Sequence, residues 1–300
     1  MWILLAIVAG TLLALLFPGP VLLARPALQP AFAVAMLLVG TLVEREQVRA
    51  FAKAPGRPLL GLIAQYTIMP LTAAAVATGF EDPLVRTGIV LVGCMPGAMA
   101  SNVMTVLFRG DLILSVTMTT LASLLCPLVM GLWLPLLADT RIDVPVVPLM
   151  WNATWMVVVP VCVGIAARYL RDAVPPWWNR FAGAMAAAAI VLIVLVVVAA
   201  NRDRLAGIGG ALAAAMISLN LAGYGLAYGV GRLFKWPAPQ VRTLVIEVGM
   251  QNAGMGSVLA LAHLGEAGAA PSAFYTALCV LTAAAALPLA RCHETPVPEA

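Results

Sequence analysis

The chain has 300 residues, 63% of them hydrophobic and 10% charged, with a mean hydropathy of +1.01 and a formal charge of +4. A soluble domain carries about 25% charge, so this composition excludes a water-covered globule and predicts an all-α integral membrane protein. No stretch is long and polar enough for a separate soluble domain, so residues 1–300 read as one membrane domain.

Apolar runs long enough to cross about 30 Å of hydrocarbon are predicted at roughly 1–17, 27–43, 58–79, 84–107, 112–137, 146–169, 178–200, 205–231, 240–264 and 271–290. The first, MWILLAIVAGTLLALLF, has no basic residue ahead of its apolar core and reads as a span rather than a cleaved signal peptide. The third carries Gln65 near its middle. The fourth is interrupted at MPGAMASN (95–102). There Pro96 removes a backbone donor, Gly97 loosens the chain, and Ser101 and Asn102 are polar. An opened backbone at membrane depth needs protein partners or a water-lined cavity.

In the fifth span Ser115 and Thr119 are four residues apart and share one helical face, and Ser123 continues that stripe. The eighth contains GYGLAYGVG (223–231), where Gly225 and Gly229 predict close helix packing. The ninth is interrupted at EVGMQNAGMG (247–256). Met95, Met99, Met104, Met250 and Met255 offer an adaptable apolar wall around the breaks. His263 and His293 read as interfacial. Cys94, Cys126, Cys162 and Cys279 fall in apolar segments and read as small buried hydrophobes, with no disulfide or zinc spacing.

Ten spans put both termini on one side. One set of connections holds twelve Lys and Arg residues, from Arg45 to Arg291, and the other holds five, from Arg25 to Arg204. The richer side faces the cytoplasm, so both ends are expected there, in the cell inner membrane. The positive balance reflects topology and points to no nucleic-acid partner.

Asn102 and Asn252 lie 150 residues apart, half the chain. Two five-span halves must have opposite orientation, and interrupted segments at matching positions in inverted halves point to a transporter's binding site. Of 13 acidic residues only Glu247 sits inside a span, and no Lys or Arg lies within a central segment to pair with it. A buried carboxylate needs a partner, which leaves a bound cation or a proton. Ser101, Asn102, Ser115, Thr119, Gln65, Gln251 and Asn252 supply oxygens without thiolate or imidazole. That set suits a hard cation, and a single carboxylate fits sodium better than a divalent ion.

At this point PGAMASNVMTVLFRGDLILSVTMTTLASLLCP (96–127) and EVGMQNAGMGSVLALA (247–262) resemble the two signature segments of the bile acid:sodium symporter family. The resemblance implies ten transmembrane helices as two inverted five-helix repeats, with helices 4 and 9 broken and crossing. It implies a core of spans 3–5 (about 58–137) and 8–10 (about 205–290). A panel would comprise spans 1–2 (about 1–43) and 6–7 (about 146–200). It also implies two coupling sodium ions and no other cofactor. Ser101, Asn102, Ser115, Thr119 and Glu247 would hold one ion. Gln65, Glu247 and Gln251 would hold the second, with backbone oxygens of Val248 and Met250. Gly97, Ala98, Met99, Ala100 and Asn252 would face a small organic anion.

Two departures affect the substrate side. Gly97, Ala98 and Met99 stand where the family commonly has Gly-Gly-Thr, and the tenth span lacks the family's Trp-His-Asn triplet. The implied function is a sodium-coupled symporter of a bile-acid-like or small carboxylate solute such as a pantoate-type hydroxy acid, working by alternating access in membrane lipid with no obligate protein partner. Proton coupling through Glu247 is the alternative. An intramembrane enzyme using Glu247 is a further alternative, but no second carboxylate, nucleophile–base pair or metal-ligand spacing accompanies it.

Overall fold

The computed structural model describes residues 10, 14, 16–170, 175, 177–200 and 202–292. The expected first span, 1–17, and His293 therefore lie largely or wholly outside the described residues. In chain order the helices are α1 (Pro18–Leu22), α2 (Leu28–Gly40), α3 (Arg45–Lys53), α4 (Gly56–Ala77), α5 (Pro83–Gly93), α6 (Ala100–Leu107), α7 (Leu112–Leu137), α8 (Val146–Ala153), α9 (Val159–Tyr169), α10 (Trp178–Ala200), α11 (Arg202–Leu233), α12 (Ala238–Gly249), α13 (Ala253–His263) and α14 (Gly265–Cys292). There is no strand among the described residues.

Among the described residues, seven helical stretches are long and apolar enough to cross a membrane: Pro18–Gly40, Gly56–Ala77, Leu112–Leu137, Val146–Tyr169, Trp178–Ala200, Gly209–Leu233 and Gly265–Ala286. This is a multi-pass membrane protein. Hydropathy alone places 112–137, 146–169 and 178–200 to the residue, because each is bounded by charged or proline-rich loops. The outward ridge of α7 is Leu128, Leu132 and Leu136, spaced by four and each well exposed, as a lipid-facing stripe requires.

The two interrupted spans divide as expected but more tightly. The first break covers 94–99, between α5 and α6, and the second only 250–252, between α12 and α13. Glu247 consequently sits in the last turn of α12, not in the opened segment. Residues 247–249 keep helical geometry because their donors still reach back one turn, and Asn252 restarts the chain as the N-cap of α13, its Oδ1 accepting from Met255 N at 3.2 Å.

Prolines inside spans leave carbonyls without their usual donor. Pro70 does so to Tyr66 in α4, and the indole Nε1 of Trp133 from α7 donates to that oxygen at 2.8 Å. Between α8 and α9 the chain widens to a π-helical turn over Thr154–Val158 just before Pro160, which accommodates the missing donor by one wide turn. Beyond the end of α7, Arg141 hydrogen-bonds Asp139 and Arg86 pairs with the same carboxylate, holding it well below the usual carboxylate range.

The glycine pair expected to mediate close packing does not. A Cβ on Gly225 or Gly229 would meet nothing within 4 Å. Close packing in 223–231 runs instead through Gly223 and Gly231, where a Cβ would fall 2.8 Å from Met69 Sδ and 3.1 Å from Val241 Cγ1, and a Cβ on Gly249 of α12 would fall 2.0 Å from the Tyr224 ring. Four-residue spacing marks a small-residue face, but only the neighbouring helix decides which face is used. Cys94, Cys126 and Cys279 are buried as free thiols, whereas Cys162 is exposed, on the outward face of α9.

Candidate functional site

The two breaks meet. Gly97 and Gln251 form an isolated antiparallel bridge. Ala98 N donates to Met250 O and Asn252 N to Pro96 O, both at 2.7 Å. This resolves how unwound backbone survives at membrane depth: each break supplies the other's missing partners. The remaining end carbonyl of α12, Gly249 O, accepts from Tyr275 Oη at 2.6 Å and from Asn220 Nδ2 at 2.7 Å. Thr282 donates to Asn220 Oδ1 at 2.7 Å and fixes that amide.

Beside the bridge lies Glu247, fully buried. Ser101 and Ser115 donate to its Oε1 at 2.5 Å each, and Thr119 donates to Oε2 at 2.7 Å. Among the described residues no Lys, Arg or His pairs with it. A carboxylate in a dry interior retains its charge only with compensation.

The hydroxyl protons around it are too few for the oxygens. Ser115 Oγ lies 2.5 Å from Glu247 Oε1, 2.8 Å from Asn102 Oδ1 and 3.1 Å from Thr105 Oγ1. One hydroxyl carries one proton, so Ser115 satisfies only one of the two acceptors. Thr119 likewise faces both Glu247 Oε2 and the Ser115 carbonyl, at 2.7 and 3.0 Å. Oxygens crowded in this way without enough protons have the chemistry of a cation cage.

A second polar group lies next to it. Both ends of the fully buried Gln65 amide and the Oε1 of buried Gln251 lack hydrogen-bond partners. Gln251 Nε2 donates to Val248 O at 2.7 Å, and Met250 O accepts from Ala98 in the bridge. A Cβ on Gly97 would sit 2.7 Å from Glu247 Oε2 and 3.7 Å from Gln65 Nε2. The two groups thus meet at this glycine.

Of the residues singled out from sequence, Ser101, Asn102, Ser115, Thr119 and Glu247 converge by direct contact. Gln65, Val248, Met250 and Gln251 lie around the bridge. Gly97 is buried, while Ala98, Met99 and Ala100 are partly exposed at its edge. The Oδ1 of Asn252 caps α13, which leaves its amide nitrogen and one lone pair of Oδ1 for other contacts. Ser123 does not join the group; it donates to Thr119 O in its own helix, at 2.8 Å. Of the methionines, Met95, Met250 and Met255 are fully buried, Met104 is nearly so, and Met99 is partly exposed. His263 Nε2 meets Asn152 Nδ2 at 3.1 Å, tying α13 to α8.

Sequence reading missed Thr105, Asn220 and Tyr275. Thr105 follows Ser101 by four residues on a short helix, a legible same-face signal. Asn220 and Tyr275 are lone polar groups deep in apolar spans, a pattern that marks interhelical hydrogen bonding.

A profile of the Sodium Bile acid symporter family matches residues 29–208. The chain is similar to the uncharacterized sodium-dependent transporter YocS of Bacillus subtilis, 33% identical over 245 residues that cover 81% of this chain and 76% of that one. It is 28% identical over 234 residues to the probable sodium/metabolite cotransporter BASS1, chloroplastic, of Arabidopsis thaliana, covering 78% of this chain and 58% of that one. It is 30% identical over 229 residues to sodium/bile acid cotransporter 4 of Homo sapiens, covering 74% and 52%. The chain therefore spans little more than half the length of those plant and human relatives.

Proposed function

The chain belongs to the sodium bile acid symporter family, whose members are transporters rather than enzymes, and from that premise we propose that it couples sodium to the import of an organic anion. The observation that carries this reading is the buried carboxylate of Glu247, which has hydroxyl donors but no cationic partner among the described residues, in a ring of proton-poor oxygens. One sodium is held by Ser101, Asn102, Ser115, Thr119 and Glu247. A second is held by Gln65, Glu247 and Gln251 with the carbonyls of Val248 and Met250. The unpartnered amide oxygens of Gln65 and Gln251 support this second assignment.

The architecture belongs to the same proposal: ten spans in two inverted five-span repeats, both termini cytoplasmic in the inner membrane. The bridge between the two breaks supports it. So does the packing of α2 against α9 and α10, while α4 packs on α5 and α14 on α13, as the panel and core division requires. Sodium entering from outside compensates Glu247 and draws the breaks together. That shapes the adjoining edge at Gly97, Ala98, Met99, Ala100 and Asn252 for a bile-acid-like or small carboxylate solute. Panel and core then move relative to each other. A potential of 100 mV contributes about 2.3 kcal/mol per charge moved, so two sodium ions suffice to drive uptake of a monoanion.

The test is uptake into proteoliposomes under a sodium gradient, with a panel of bile salts and small carboxylates. Glu247→Gln abolishes sodium-dependent accumulation while the protein stays folded. Normal sodium activation in that variant overturns the assignment, and accumulation driven by a pH gradient in sodium-free buffer replaces sodium with a proton.

A further inference from the structure

A cavity of about 440 Å³, separate from the Glu247 group, opens between α11, α12 and α14. It falls within the ~300–1,000 Å³ range of small-molecule sites. Its lining includes Tyr224, Tyr228, Val245 and Ala286 together with Arg232, Trp236 and Arg242. Neither guanidinium has a carboxylate within ion-pair reach among the described residues. Arg242 donates through Nη2 to the Arg109 carbonyl at 3.2 Å, and its Nε is buried with no partner. The acid Asp111 is engaged elsewhere, accepting from Gln240 Nε2 at 3.1 Å and capping α7.

Two unneutralised arginines at the end of membrane helices, over a trough of aromatic and aliphatic side chains, form an amphipathic site. Tyr228 is about half exposed, as an aromatic ring at a membrane–water boundary is, and Trp236 is buried among the lining residues. Arginine pairs suit phosphate oxygens, and basic pockets between membrane helices bind anionic headgroups. The geometry points to an anionic phospholipid: its phosphate lies between Arg232 and Arg242, and the start of an acyl chain lies along Tyr228, Val245 and Ala286. The lipid comes from the leaflet on the Arg232 side, which is the cytoplasmic one in the orientation proposed above. The site itself stands without that orientation. By pinning α12 to α11 it braces the helix that carries Glu247.

The test is thermal unfolding of the full chain in detergent with phosphatidylglycerol, phosphatidylcholine, inorganic phosphate or cholate added in turn. Phosphatidylglycerol at saturating concentration raises the midpoint by roughly 5 °C, and phosphatidylcholine and phosphate leave it unchanged. Arg232→Gln with Arg242→Gln removes at least half of that rise. Because Arg242 also holds a backbone carbonyl, Arg232→Gln alone is the second variant, and it reduces the rise with the fold intact. Equal stabilisation by phosphatidylcholine, or a rise that survives both variants, overturns the proposal. A rise with inorganic phosphate alone assigns the groove to a free anion. A cholate-induced rise lost in both variants, with none from phosphatidylglycerol, assigns it to the transported solute. Retention of sodium-driven uptake with loss of the lipid effect leaves the transport reading intact.

Discussion

Gly97→Ala tests whether the crossing of the two breaks sets the position of the carboxylate. The backbone tolerates alanine there, since Gly97 is not among the residues with positive φ. The added Cβ would sit 2.7 Å from Glu247 Oε2, against 3.4 Å for ordinary contact, while the Glu247 carbonyl at 3.4 Å is undisturbed. The side chain must therefore retreat by about 0.7 Å. Hard-cation bonds to oxygen are ~2.4 Å long. At an effective dielectric of ~20, stretching one to ~3.1 Å costs about 1.5 kcal/mol. That is roughly tenfold in affinity. The assay is the sodium dependence of uptake at constant ionic strength, with choline as replacement, alongside sodium-free unfolding to show that the fold persists. The half-saturating sodium concentration rises roughly tenfold. A folded variant whose sodium response lies within about twofold of the parent refutes the reasoning, because the carboxylate would then not be held against Gly97.

Ser115→Ala combined with Thr119→Ala removes two of the three hydroxyls on Glu247 and raises the sodium requirement in the same assay; an unchanged dose response counts against α7 as a source of ligands. Trp133→Phe leaves the Tyr66 carbonyl without a donor and lowers the unfolding midpoint by roughly 2 °C, for a loss of about 1 kcal/mol. In a Pro70→Ala background the helix supplies its own donor, so the same change costs little, and equal losses in both backgrounds would show that the indole bond is irrelevant. Asp111→Ala deletes the cap of α7 and the link to Gln240, with a loss of about 1 kcal/mol by thermal unfolding. Asp111→Asn keeps the capping oxygen but puts an N–H donor where Oδ2 accepted; Gln240, whose Oε1 has no partner, turns its amide to accept from it, and the variant recovers most of the loss.

Membrane class, most span boundaries and the pair of interruptions are legible in the chain because each depends on local composition. Twenty apolar residues must cross hydrocarbon wherever they pack, and Pro96 with Gly97, or the glycines and Asn252 of 249–256, weaken a helix through local backbone chemistry. Glu247 stands out for the same reason: a lone acid in an apolar run is costly whatever its neighbours. What satisfies those costs is decided only in three dimensions. Gly97 and Gln251 bridge across 154 residues of chain, and Asn220 and Tyr275 reach Gly249 from two other helices. Ser115 turns to Glu247, whereas Ser123, two turns on in the same stripe, bonds its own helix. A hydroxyl satisfies itself locally or reaches outward at similar cost, so its spacing marks a candidate and only the facing surface chooses. The glycines obey the same logic: Gly225 and Gly229 carry the pattern, but Gly223 and Gly249 make the contact, because close approach belongs to a pair of helices and not to either one alone.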